Sequence, residues 1–98
     1  MKVIREAIAG TLESSDLLVK VAPSSQTTHE IAIRSAVMKQ FGSQIRRVVE
    51  RTLEELSVSA VSIVVEDKGA LDCVIRARVQ AAVMRGCDST ELDWRRLS

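Results

Sequence analysis

Two adjacent serines, Ser14 and Ser15, lie in the segment A-G-T-L-E-S-S-D, residues 9–16, of a chain that shows no catalytic constellation elsewhere. An activated serine nucleophile needs a base within hydrogen-bond reach and a third group that orients the base. His29 is the only candidate base, and we expect it to be a surface or strand-edge histidine. An exposed serine without a base is better suited to carry a covalently attached group than to attack a substrate.

The residues on either side of the serines predict a β-hairpin. Ala7–Glu13 is short, small and partly alternating, and Leu17–Ala22 has strong strand propensity. The E-S-S-D segment between them suits a turn, because Ser and Asp side chains hydrogen-bond nearby backbone groups. We therefore expect Ser14 at the tip with its hydroxyl in solvent, although Ser15 offers a physically equivalent hydroxyl. The flanking acids, Glu13 and Asp16, are either solvated turn residues or help to position the metal or basic groups of an enzyme that modifies the serine.

Hydrophobic periodicity predicts the elements that must position this hairpin. After a polar loop, Pro23–Thr28, the alternation in His29–Arg34 predicts a short strand. Ser35 is a plausible N-cap for an amphipathic helix that ends near Leu56. Its apolar positions recur at helical spacing: Val37, Met38, Phe41, Ile45, Val48, Val49, Leu53 and Leu56.

A second strand and helix are predicted beyond this segment. Val58–Val65 is β-branched and nearly continuous, which is typical of an interior strand. Ala70–Arg85 follows helical spacing, with Gly86 where a C-terminal glycine cap would fall. The competing interpretation is a strand over Leu71–Val79, which also alternates.

The element order β-β-β-α-β-α predicts an α+β fold, with a single sheet of about four strands and two helices packed on one face. Ninety-eight residues favour a single domain, residues 1–98. Its tail, residues 87–98, is polar apart from a few residues and is either flexible or held to the surface through Trp94.

Composition excludes several functional classes. Fourteen basic and thirteen acidic residues leave a net charge of +1, which gives no electrostatic reason to bind nucleic acid or an anionic membrane. Cys73 and Cys87 lack the spacing of zinc ligands, and a predicted helix would hold them ~20 Å apart, too far for a disulfide. With reduced thiols and no apolar run long enough to cross a bilayer, a cytoplasmic protein is expected.

Several motifs resemble one known family. A-G-T-L-E-S-x-D, together with D-K-G-A-L-D-C at Asp67–Cys73, R-A-R at Arg76–Arg78 and K-Q-F-G at Lys39–Gly42, is similar to the acyl carrier subunits, or gamma chains, of citrate lyase. The delta subunit of malonate decarboxylase looks related to the same carriers. The resemblance covers nearly the whole chain.

This resemblance implies a non-catalytic carrier whose serine bears phosphoribosyl-dephospho-coenzyme A through a phosphodiester, with acetyl or citryl on its terminal thiol. Aligned residue by residue, that serine is Ser14, two positions before Asp16. Ser15 departs from the family, which usually has Gly there. The implied partners are the alpha (acyl transferase) and beta (citryl lyase) subunits and a prosthetic-group transferase. Two alternatives remain open: a malonate decarboxylase carrier, and a non-carrier protein-interaction module.

Basic residues near the second motif form a possible docking surface. Lys68, Arg76 and Arg78 either dock the carrier on its partner enzymes, lie against the phosphates of its own prosthetic group, or only solubilise their helix. Cys73, in the same motif, is expected to be a buried small hydrophobe.

Overall fold

The computed structural model describes residues 1–35 and 38–87, with the side chains of 38–41 excepted. Within these ranges the chain forms four strands and two helices in the predicted order. The elements are β1 (Ala7–Gly10), β2 (Leu17–Pro23), β3 (Glu30–Ser35), α1 (Met38–Glu55), β4 (Val61–Asp67) and α2 (Asp72–Gly86). No helix in the described ranges has the length and apolar character needed to span a bilayer. The expectations for Val37 and for the tail from residue 88 onward, Trp94 included, lie outside the described residues.

The sheet is mixed, with strand order β1-β2-β4-β3 in the described part of the chain. β1 and β2 form the predicted hairpin, and β2 pairs with β4 in antiparallel register, Val19 opposite Val65. β3 pairs with β4 in parallel, Ile33 opposite Val65, so α1 is the crossover helix that a parallel pair requires. The interior position predicted for the β-branched run is confirmed.

One face of the sheet carries the core. Buried residues alternate with half-buried ones along β4, and α1 and α2 cover the buried side, α1 over β3 and α2 over β1 and β2. On the other face, Lys20 and Ile8 are exposed and Val64 is half-buried. The α+β prediction with two helices on one face is therefore confirmed. The largest fully buried side chains are aliphatic: Leu17, Leu53, Leu56, Ile63 and Ile75, followed by seven valines.

The segment after β4 is a helix, which excludes the competing strand over Leu71–Val79. The prediction that Gly86 is a left-handed cap is wrong, because Gly86 is the last helical residue and its φ is not positive. A Cβ there would lie 3.1 Å from the Arg5 carbonyl oxygen and from Val3 Cγ1. Gly86 therefore permits the N-terminal segment to pack against the end of α2.

The predicted N-cap, Ser35, is the last residue of β3, and its hydroxyl donates to Asp67 Oδ2 at 2.9 Å. The Asp67 carboxylate also accepts the backbone N–H groups of Gly69 (3.1 Å) and Ala70 (2.9 Å). Asp67 thus fixes the turn from β4 into α2. How the chain enters α1 depends on residues 36 and 37, which lie outside the described residues.

Candidate functional site

The two serines lie in a six-residue connection between β1 and β2, which we call the serine loop (residues 11–16). Ser14 and Ser15 are both exposed. Among the described residues, no hydrogen bond or ion pair involves the Ser14 side chain. The loop therefore presents a solvent-facing hydroxyl on a hairpin tip, as the sequence indicated.

Gly10, the last residue of β1, leads into the serine loop in a conformation that other residues rarely adopt. Its φ is +93°, and a Cβ added there would overlap the backbone carbonyl oxygen of Leu17. The next residue, Thr11, donates its N–H to that same oxygen at 3.1 Å. Glycine is thus required twice, for the positive φ and for the close approach of the two strands.

Ser15, within the serine loop, also has a positive φ, 64°, in the left-handed region. Its N–H donates to the Lys68 carbonyl at 2.9 Å, and the Lys68 N–H donates to the Asp16 carbonyl at 2.9 Å. These two bonds fasten the serine loop to the turn that follows β4. Glycine adopts the left-handed conformation without a steric penalty, which is why it suits this position. Ser15 has a Cβ and fewer accessible conformations, so it makes the turn stiffer than glycine would.

Asp16 holds the loop together. Thr11 Oγ1 donates to Asp16 Oδ2 at 2.7 Å, and the Leu17 N–H donates to Oδ1 at 2.8 Å. Arg78 forms a bidentate ion pair with Asp16, in which Nε donates to Oδ1 at 3.1 Å and Nη2 donates to Oδ2 at 3.0 Å. The hydrogen bond from Thr11, followed by that from Arg78, lowers the pKa of Asp16 from 3.8 to about 2. With its side chain only 15% exposed, Asp16 is a structural anion of this loop.

The structure separates the three predicted docking residues. Lys68 is exposed in the turn beside the serine loop, and Arg78 is bound to Asp16. Arg76 instead forms an ion pair with Glu55 of α1, Nη2 to Oε2 at 2.8 Å. Residues two apart on a helix point to different faces, so Arg76 and Arg78 cannot share one surface of α2.

His29, the candidate base, lies far from the serine loop in the part of the chain that the structure describes. His29 Nδ1 accepts the N–H of Val61 at 3.2 Å, at the start of β4. The serine loop contacts the other end of that strand, about 20 Å away at ~3.3 Å per residue. Within the described part of the chain, no three His, Cys, Asp or Glu side chains converge as a metal site would need.

The two cysteines have opposite surroundings. The expectation that Cys73 is buried is wrong, because it is exposed in the first turn of α2. Cys87 is buried, and its removal from water raises the pKa of its thiol. Both are free thiols.

Sequence reasoning missed the structural roles of Gly10 and Thr11. The signal was present, because a glycine, a hydroxyl residue and an aspartate within seven positions are typical of a loop that is closed by its own side chains. The partner of Asp16 was not readable in this way, since Arg78 is 62 residues distant.

Comparison with known proteins gives consistent results. Residues 4–86 match the family described as Malonate decarboxylase delta subunit (MdcD). The chain is 58% identical over 98 residues to the citrate lyase acyl carrier protein of Enterobacter sp. (strain 638), covering 100% of both chains. It is 53% identical over 98 residues, again with full coverage of both, to that of Vibrio cholerae serotype O1 (strain M66-2).

One solved structure has a similar fold. It is a chain in the crystal structure of a Pseudomonas malonate decarboxylase hetero-tetramer in complex with malonate. The TM-score is 0.75 with 24% sequence identity, and the match covers 85% of this chain and 84% of that one. At this identity the likeness concerns the fold alone.

Proposed function

Because the chain belongs to the family of citrate lyase and malonate decarboxylase acyl carrier subunits, we propose that Ser14 carries the prosthetic group on which the acyl group travels. The chain is an acyl carrier of the citrate lyase family, a carrier subunit rather than a catalytic one. In the proposed reaction it holds acetyl as a thioester and exchanges it with citrate, which releases acetate and leaves citryl on the carrier. It then presents citryl for cleavage to oxaloacetate, which regenerates the acetyl carrier.

The observation that carries this proposal is the contrast between Ser14 and its neighbours. The two residues that follow it are held by hydrogen bonds, Ser15 to Lys68 and Asp16 to Thr11 and Arg78, while Ser14 is exposed. A carrier needs a hydroxyl that a modifying enzyme can reach. The loop that bears this hydroxyl must also be rigid enough to present it in one geometry. The serine loop meets both requirements.

The prosthetic group that we propose is phosphoribosyl-dephospho-coenzyme A, joined to Ser14 Oγ by a phosphodiester, and it supplies the thiol that holds the acyl group. The loop fits an anionic attachment. Asp16, two positions after Ser14, is already neutralised by Arg78, and Lys68 places an exposed cation beside the loop. Glu13, the acid directly before Ser14, is exposed to solvent. These residues would orient the first phosphate, and Ser14 would be its covalent anchor.

Partners follow from the same proposal. The alpha (acyl transferase) and beta (citryl lyase) subunits of citrate lyase would receive the arm, and a prosthetic-group transferase would install it. The related Pseudomonas chain is part of a hetero-tetramer, which supports assembly into a multi-subunit enzyme. With no bilayer-spanning helix in the described ranges, a cytoplasmic location is part of the proposal.

A malonate decarboxylase carrier is the second candidate, favoured by the family match and by the similar fold of the Pseudomonas chain. Identity of 52–58% to citrate lyase carriers favours the first. Reconstitution decides between them: the modified chain should restore citrate cleavage to carrier-free alpha and beta subunits, and should not restore malonate decarboxylation to a carrier-free decarboxylase.

The attachment site is tested by intact mass after co-expression with the transferase. The parent should gain one prosthetic group, and Ser14→Ala should gain none, because it lacks the ester oxygen. Ser15→Ala is the matched control and should remain modified. Since Ser14 is exposed and its side chain makes no hydrogen bond or ion pair among the described residues, its loss should change stability by no more than ~0.5 kcal/mol. A modified Ser14→Ala would contradict the proposal.

A further inference from the structure

A cavity of about 700 Å³ lies between α1, the end of β4 and the first turns of α2. We call it the α1–α2 cavity. Its volume is within the range of small-molecule sites, roughly 300–1,000 Å³. Its walls are formed by Gln44, Ile45, Asp67, Gly69, Ala70, Leu71, Asp72, Cys73 and Ile75.

The walls are mostly apolar, and the charged residues among them, Asp67 and Asp72, are acidic. Leu71, one of the lining residues, has 70% of its surface exposed and adds apolar area to the opening. Asp67 is committed to the turn, and both oxygens of Asp72 accept from Gln44 Nε2 at 3.3 Å. None of the described residues that line the cavity is Lys, Arg or His. The cavity therefore suits an uncharged ligand with apolar groups and disfavours an anion.

The α1–α2 cavity and the serine loop are at the same end of the molecule. The turn from Lys68 to Leu71 separates them: Lys68 exchanges backbone hydrogen bonds with the serine loop, and Gly69, the next residue, lines the cavity. A group attached to Ser14 thus begins next to this turn. Tethering gives such a group an effective concentration in the millimolar range, so even a weak site would be occupied.

We propose that the α1–α2 cavity is an intramolecular site for the uncharged acyl-thioester end of the arm, and that it favours acetyl over citryl. This inference rests on the proposed attachment at Ser14. Acetyl thioester is neutral and small, whereas citryl thioester brings further carboxylates toward Asp67 and Asp72. The acetyl-bearing arm would fold back against its carrier. Exchange of acetyl for citryl would release the arm, so that it could reach the subunit that cleaves the citryl group.

Cys73 provides a direct readout, because its exposed thiol lines the cavity, whereas the Cys87 thiol is buried. The experiment measures alkylation of Cys73 by iodoacetamide, resolved by peptide mapping, in unmodified, acetyl-loaded and citryl-loaded protein. Acetyl loading should slow Cys73 alkylation by about tenfold, since a tethered ligand keeps the site occupied. Citryl-loaded protein should react like unmodified protein. Equal rates in the acetyl-loaded and unmodified forms would overturn the inference.

Two substitutions by phenylalanine on the same segment provide a matched pair. Ala70→Phe fills the cavity and should abolish the difference between acetyl-loaded and unmodified protein. Ala77→Phe adds the same bulk at an exposed position of α2 and should preserve it. Persistence of acetyl protection in Ala70→Phe would place the arm elsewhere.

Acetyl-pantetheine, added at millimolar concentration to the unmodified parent, tests the cavity separately from attachment. It should slow alkylation of Cys73 in the parent, and citryl-pantetheine should not. If intact mass showed no modification of Ser14, the proposed function would fail while this result still decided the cavity. Suppose that a tethered acetyl group protects Cys73 from alkylation but acetyl-pantetheine does not. This result would also count against the inference, because the protection would then come from the tether and not from binding in the cavity.

Discussion

At the scale of single residues, Asp16 has a different role from the one its position suggests. Next to two serines in a turn, an aspartate resembles a solvated charge, yet its carboxylate is shared among Thr11, Leu17 and Arg78. Charge-assisted bonds of this kind are shorter and stronger than neutral ones, and two parallel bonds from one guanidinium also fix direction. We therefore expect these bonds to restrict the loop and so to limit the positions that the serine two residues earlier can adopt.

Asp16 should make the stability of the fold depend on pH in the acid range. Its pKa of about 2 is below the ordinary 3.8, so ionised Asp16 stabilises the folded state above about pH 4. This contribution is lost as the pH falls through about 2. In urea unfolding, parent and Asp16→Asn should therefore differ most near neutral pH and converge as the pH is lowered from about 4 to 2.

Two arginine variants test the source of this pH dependence. Arg78→Gln should reproduce much of the effect of Asp16→Asn, and the double variant should be little worse than either single one, because both remove the same interaction. Arg76→Gln is the matched control, since Arg76 pairs with Glu55 instead. A pH-independent gap between parent and Asp16→Asn would mean that the carboxylate charge does not stabilise the loop.

At the scale of elements, regular periodicity was predictable and local connections were not. Repeated apolar spacing correctly indicated the strands, the crossover helix and α2, because burial of one face forces the pattern. The role of Gly86 was predicted wrongly because it depends on the approach of Val3 from the far end of the chain. The burial of Cys73 was predicted wrongly because it depends on which side of α2 faces the sheet. Likewise, the arrangement around Ser14 required the long-range partners Lys68 and Arg78.

Gly10→Ala should damage the serine loop more than any exposed substitution within it. The added Cβ would overlap the Leu17 carbonyl, so β1 and β2 would have to separate where the loop begins. The matched control is Gly69→Ala, which has a similar φ of +91° but open space around the new atom. Strain alone costs about 1–2 kcal/mol at Gly69, and steric overlap at Gly10 should add at least a further ~1 kcal/mol. Urea unfolding of both variants measures this difference.

Modification of the two glycine variants gives the functional counterpart. Transfer of the prosthetic group to Ser14 should be slower in Gly10→Ala than in Gly69→Ala at a temperature where both are folded, because only the first deforms the loop that presents the hydroxyl. Equal rates of transfer would show that the modifying enzyme does not depend on the geometry of this loop.

At the scale of the whole molecule, the features proposed to act in carriage lie at one end of the sheet. β4 ends there at Asp67, β2 begins there at Leu17, and both the serine loop and the α1–α2 cavity adjoin the turn between β4 and α2. The opposite end of β4, with His29, has none of these groups. A carrier that must approach its partner subunits with the arm foremost would dock through this end.

Docking through this end predicts unequal effects of charge reversal. Lys68 is exposed beside the serine loop, so Lys68→Glu should weaken co-purification with the alpha and beta subunits without altering the fold. Arg78→Glu should also weaken it, but through loss of the Asp16 pair, and should therefore lower the urea midpoint as well. Arg76→Glu breaks an exposed pair with Glu55, worth about 0–1 kcal/mol, and its effect on assembly tests whether the docking surface extends around α2.

Lys20→Glu provides the comparison that makes these effects interpretable. It makes the same change in charge as Lys68→Glu at an exposed position of β2, on the sheet face that the helices leave open. Attraction between exposed charges is screened over about 8 Å at physiological ionic strength, so a docking contact of Lys68 should weaken steeply as salt is raised. If Lys68→Glu and Lys20→Glu bind the partner subunits equally across a salt titration, the serine-loop end is not the docking surface. If Lys68→Glu alone is impaired at low salt and the two converge at high salt, the same end of the sheet both carries the arm and approaches the enzyme.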